Sequence, residues 1–124
     1  MELKFIEHKE AQDERGNYER DEYRIGNYVV FRELSFYKTG STFERIQVIP
    51  NREVDYIPEI YYDYSLFGDV VRSFKIQTTS YGSLSPEDIQ KVIAGYNEAL
   101  EIVNILTEKF INQEDPQNGK CNLS

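Results

Sequence analysis

The stretch Leu84-Ser-Pro-Glu-Asp-Ile89 dictates where the largest helical element of this chain begins. Ser85 offers a side-chain oxygen to the orphan amides of a first turn, and Pro86 brings a preset φ to the first helical position. Glu87 and Asp88 lie where the positive end of the helix dipole favours acids, and Leu84 with Ile89 has the spacing of a hydrophobic staple. Ile89, Ile93, Tyr96, Leu100, Val103, Leu106 and Phe110 then recur at three and four residues, which predicts one amphipathic helix from Pro86 to about Asn112, roughly 40 Å long at about 1.5 Å per residue. Ile93, Leu100 and Val103 are its expected contacts with the rest of the core. Gly95 costs such a helix about 1 kcal/mol relative to Ala, unless another segment passes close beside it. Ile102 and Ile105 widen the stripe, either as extra core or as a face for a second subunit, so a homo-oligomer built through them stays open.

Upstream, the apolar period changes from 3.6 to two. Residues 28–37 and 41–49 are rich in β-branched and aromatic side chains, and Lys38-Thr-Gly40 between them has the chemistry of a hairpin loop. Residues 70–79 form a further strand with Arg72, Phe74 and Ile76 on one face and a more polar set on the other. Residues 2–6 and 21–25 are weaker strands, and Gly26-Asn27 is a two-residue turn leading into Tyr28. Strands first and one helix last predict an α+β fold, an antiparallel β-meander of about four to five strands covered by one long C-terminal helix. With 124 residues, about one domain's worth, the expected division is a single domain over 1–112 followed by a polar tail over 113–124.

Twenty-two acids against 14 bases give a net charge of −8, which opposes direct binding to nucleic acid or to an anionic membrane. The first residues lack the basic and apolar regions of a secretion signal, so a cytoplasmic location is expected, and a lone Cys121 in a polar tail fits it. The chain has a single histidine, His8, set among charges in Glu7-His8-Lys9-Glu10. Any metal site on it would draw on distant carboxylates alone, and no metal or cofactor is expected. One histidine and no Gly-x-Ser-x-Gly elbow leave no nucleophilic triad, and the seven glycines are too dispersed for a phosphate loop. A non-enzymatic protein is the expectation.

The most unusual segment is 53–69, with five acids (Glu53, Asp55, Glu59, Asp63, Asp69), four tyrosines (Tyr56, Tyr61, Tyr62, Tyr64) and no base. One reading is an irregular connection plus a short strand, with Ile57, Ile60, Tyr62 and Phe67 under the helix and the acids in water. The other is a partner-binding surface made of Asp55, Tyr56, Glu59, Tyr61, Asp63, Tyr64 and Asp69. Tyrosine gives large contact area at low entropic cost, and spaced carboxylates complement an Arg/Lys-lined channel. On a strand, Tyr61 shares a face with Glu59 and Asp63. The alternative class is a small-ligand-binding domain or enzyme with a pocket lined by Tyr96, Tyr62 and Phe74.

The block from Ser73 to Phe110, in which Tyr81-Gly-Ser-Leu-Ser-Pro-Glu-Asp-Ile89 leads into Ala94-Gly-Tyr-Asn-Glu-Ala-Leu100, resembles the C-terminal strand-turn-helix of small acidic accessory proteins carried by phages, plasmids and conjugative elements of Gram-positive bacteria. Some anti-CRISPR proteins belong to that group. What the resemblance implies is an acidic inhibitor that docks on a basic partner, a nucleic-acid-handling host defence enzyme; it covers roughly the last third of the chain and designates no site residue.

Overall fold

Long strands account for the charged N-terminal half of the chain. The computed structural model describes residues 1–65 and 71–113. In it β1 (Lys4–Asp13), β2 (Gly16–Ile25), β3 (Tyr28–Tyr37) and β4 (Thr42–Pro50) form an antiparallel meander in the order β1-β2-β3-β4. The weak strands expected at 2–6 and 21–25 are thus ten residues each. Between them the Asp13 carboxylate accepts from the backbone N–H groups of Arg15 (2.8 Å) and Gly16 (3.2 Å), so an aspartate turn closes the ribbon. Gly16 has φ +150, and a side chain there would begin 2.0 Å from the Phe36 carbonyl oxygen.

A second, two-stranded sheet pairs β5 (Ile60–Ser65) with β6 (Val71–Ile76). The helix α1 (Pro86–Thr107) follows and continues as a π-helical turn over Glu108–Asn112. Its start is the one the sequence predicts: Ser85 Oγ accepts from the Asp88 N–H at 3.1 Å, with Pro86 in the first turn. The arrangement is α+β.

The core joins all these pieces except β1, which is exposed along its length. Ile25, Tyr28 and Val30 from β2 and β3, Ile46 and Val48 from β4, Ile60 and Phe74 from the small sheet, and Ala99, Ile102, Leu106 and Phe110 from the helix are buried together. Tyr28 is 2% exposed, and its hydroxyl donates to the Pro58 carbonyl at 2.6 Å, so even its one polar atom is satisfied.

The expected stripe is buried at Leu106 and Phe110, but earlier along the helix a different face meets the core. Ile93 and Leu100 are each 54% exposed, whereas Ile102 is fully buried. Val103, the third expected contact, is half-buried against the core. The reason lies in small residues: Gly95 and Ala99 let the helix approach its neighbours closely, and that approach turns Ile102, Leu106 and Phe110 inward with them. A face for a second subunit is therefore corrected at Ile102. Ile102 has no surface to offer, and Ile105 is partly buried beside Leu3, Phe5 and Tyr23. No helix among the described residues is long and apolar enough to cross a membrane.

Candidate functional site

The tyrosine-rich segment divides into a connection over 51–59 and the strand β5. Alternation along β5 separates its side chains. Ile60 is buried, and Tyr62 points inward against Phe74 with ring centroids 5.3 Å apart, while Tyr61 on the opposite side is 47% exposed; Tyr64, on the side of Ile60 and Tyr62 but near the far end of the strand, is 48% exposed. Tyr61 stands with Glu59 and Asp63 on the outward side. Its hydroxyl donates to Glu59 Oε2 at 2.6 Å and also meets the Gln77 side chain. That bond to a carboxylate raises the Tyr61 phenol above its ordinary range.

The carboxylates of this face are not bare. Lys75, directly beyond Tyr61 on β6, places Nζ 2.7 Å from Asp63 and holds the Asp63 carboxyl below its usual range. Arg52 stands 3.7 Å from Glu59. Both bases come from outside the segment 53–69, which is why that segment taken alone reads as purely acidic. Asp55 is exposed and lines a cleft of about 470 Å³ with Val54, Ile57, Lys91 and Glu98. Tyr56 is half-buried, adopts φ +62 and packs edge-on against Tyr81 at 5.2 Å, so it belongs to the packing of the connection. Asp69 and Phe67 lie outside the described residues, as does Cys121.

Behind β5 runs a network that the sequence does not announce. Glu44 on β4 accepts at Oε2 from Arg32 (3.0 and 2.8 Å) and at Oε1 from Arg72 (2.8 Å) and from the Tyr62 hydroxyl (2.8 Å). Arg72 also donates to Tyr62 Oη at 2.6 Å and to the Phe110 carbonyl at 2.9 Å. Burial pushes the Glu44 carboxyl up, yet the bonds from Tyr62 and Arg32 and the charges of both arginines outweigh it and leave the group below its ordinary range. Burial in the same network pushes the Tyr62 phenol up to about 12. One carboxylate thereby ties the large sheet, the small sheet and the helix end together. Of the residues weighed for a small-ligand pocket, Tyr62 and Phe74 are spent on this packing, and the Tyr96 hydroxyl accepts from the Thr79 N–H at 3.0 Å.

His8 is less isolated than its sequence neighbours suggest. Across the β1–β2 ribbon it faces Asp21, with Nδ1 2.5 Å from Asp21 Oδ1 and Nε2 3.0 Å from Glu10 Oε1.

Compared with protein-family models, with curated proteins and with solved structures, the chain matches none.

Proposed function

We propose that this protein is a binding protein without a reaction of its own, and that it engages a basic partner through the outward face of the small sheet. The observation that carries the reading is the alternation Glu59-Tyr61-Asp63 along the outward side of β5 and the residue that precedes it. Successive members stand about 6.4–6.8 Å apart at about 3.2–3.4 Å per residue. Charge, ring, charge at that spacing presents a basic groove with the sign and stacking surface of a single-stranded nucleic acid. The ring of Tyr61 supplies an aromatic anchor, held upright by its bond to Glu59 before any partner arrives. Exposed pairs such as those with Lys75 and Arg52 are worth about 0–1 kcal/mol, so an incoming guanidinium displaces them at little cost. The net charge of −8 favours approach to such a groove. The partner proposed is a nucleic-acid-handling enzyme of a host defence system, inhibited by occupation of its Arg/Lys-lined channel.

The test begins with capture of the partner at low and high salt, followed by association and dissociation rates. Neutralising Asp55, Glu59 and Asp63 together (D55N/E59Q/D63N) should slow association and flatten its salt dependence, because these carboxylates steer the encounter. Tyr61→Ala should speed dissociation and cost at least about 2 kcal/mol of affinity, the scale of a binding hot spot. Single-stranded nucleic acid should compete with the wild-type protein for the partner. Unchanged rates in both variants remove the proposal's support.

A further inference from the structure

Four titratable side chains share one face of the β1–β2 ribbon, and none of them belongs to the face of β5 discussed above. The register pairs His8 with Asp21 and Glu10 with Glu19, so the four form a compact quadrilateral. A β-bulge creates it. Phe5 pairs with Tyr23 and Glu7 with Glu22, which makes Ile6 the extra residue. Without it His8 would stand opposite Arg20 on the other face of the ribbon, and Lys9 would face Glu19.

The bulge also sorts the charges. Lys9 and Arg20 project from the opposite face, where Lys9 pairs with Glu7 at 3.7 Å and Arg20 lies over the Phe31 ring at 4.8 Å. Arg32, which follows Asp21 across β3, is engaged by Glu44. Among the described residues, no Lys or Arg forms an ion pair with Glu10, Glu19 or Asp21. Three carboxylates converge on one imidazole.

Each nitrogen of that imidazole has a distinct partner. Nδ1 donates to Asp21 at 2.5 Å, which fixes the ring and turns Nε2 toward Glu10 and Glu19. One ligand atom each from His8, Glu10 and Glu19 lies within 4.8 Å of the others. Tetrahedral ligands at about 2.0–2.1 Å from a zinc ion are separated by roughly 3.4 Å, so small side-chain rotations close the set. A carboxylate on the far nitrogen is the arrangement that orients metal-bound histidines and raises their basicity. We propose that His8 Nε2, Glu10 and Glu19 form a site for a divalent first-row transition ion, with Asp21 as the positioning residue behind His8. A proton on Nε2 is shared with Glu10 alone, whereas a dication also draws in Glu19 and offsets the charges of both glutamates. Three protein ligands leave a fourth position for water. Binding releases the imidazole Nε2 proton and therefore strengthens as pH rises.

The single histidine makes the test unambiguous. Zn²⁺ is titrated at pH 8 into the full chain, and into the C121S variant to remove the thiol, with calorimetry and long-range ¹H–¹⁵N spectra of the imidazole. The site predicts one ion per chain in both proteins, with the Nε2 resonance shifting while Nδ1 keeps its proton. His8→Ala and the double variant E10Q/E19Q should each weaken binding at least about tenfold. Asp21→Asn should weaken it about 10–100-fold, the usual effect of losing an orienting carboxylate. His8 and Glu10 are exposed and Glu19 and Asp21 half-buried, and circular dichroism verifies that the variants keep the fold. Absence of binding, loss of binding in C121S, or equal affinity in His8→Ala overturns the proposal, the last by reducing the cluster to diffuse attraction of cations.

Discussion

Gly95 of the helix and Tyr56 of the connection pass so close that a side chain on Gly95 would begin 2.5 Å from the Tyr56 carbonyl oxygen. The obstacle is backbone, and Tyr56 is held at φ +62, in the left-handed region that costs a bulky residue energy. Gly95→Ala should gain about 1 kcal/mol of helix propensity and lose more to this clash, because overpacking typically costs 1–3 kcal/mol. A net fall in the urea midpoint is the expected result. A rise would mean that the connection gives way freely.

The two apolar stripes of the helix should respond oppositely to truncation. Ile102→Ala removes a fully buried side chain and should cost about 2–5 kcal/mol. Leu100→Ala, at a position 54% exposed, should stay within about 1 kcal/mol. Equilibrium unfolding of the pair compares the stripes directly. Equal losses would contradict the orientation of the helix.

Glu44 gives the fold a dependence on acid. Its carboxyl lies below its ordinary value when folded, so its contribution is present above about pH 4.5 and is lost as pH falls through the lowered value. Glu44→Gln should reduce stability at neutral pH by roughly 1.5–3 kcal/mol, the scale of hydrogen bonds to a charged group, with the lower end expected for a network that is partly solvated. It should also flatten the acid limb of the stability curve. A parallel shift of the whole curve, with the acid limb unchanged, would assign the acid sensitivity elsewhere.

His8 should titrate far from the usual histidine range in the metal-free protein. The hydrogen bonds to Glu10 and then to Asp21 raise its pKa from 6.5 to about 9. The sign follows from the raised value: the stabilising contribution is complete below about pH 6.5 and disappears as pH rises through about 9. An NMR titration of the one imidazole should give a midpoint near 9, moving down in Glu10→Gln and in Asp21→Asn. A midpoint near 6.5 in the parent chain would mean that these carboxylates do not close on the ring.

The parts of the fold legible in the sequence are those set by local chemistry. The cap at Ser85 and the strands β3 and β4 announce themselves because capping and two-residue alternation are properties of neighbouring residues. β1 and β2 are masked by charges on both faces, since an alternation of polar with polar leaves no apolar period to detect. The helix carries two apolar stripes, and the choice between them depends on how near Gly95 can come to Tyr56, a distance that no periodicity encodes. At the candidate site, the shared face of Glu59, Tyr61 and Asp63 follows from strand alternation. The bases Lys75 and Arg52 do not, because strand pairing and loop geometry bring them from outside the segment. Asp21 reaches His8 from 13 residues away through a bulged register that only the folded ribbon defines.

The grip of Arg72 on the Phe110 carbonyl has a dynamic consequence. The two sheets are separate hydrogen-bonded ladders, so the Glu44–Arg72–Phe110 chain is a polar seam between pieces that backbone pairing does not join. Opening the small hairpin pulls Arg72 from the helix terminus, and fraying that terminus strips Arg72 of one of its acceptors. The two motions are coupled through these bonds, so the amides of β6 and of the last helical turn should lose protection from solvent exchange together, and Arg72→Ala should separate them.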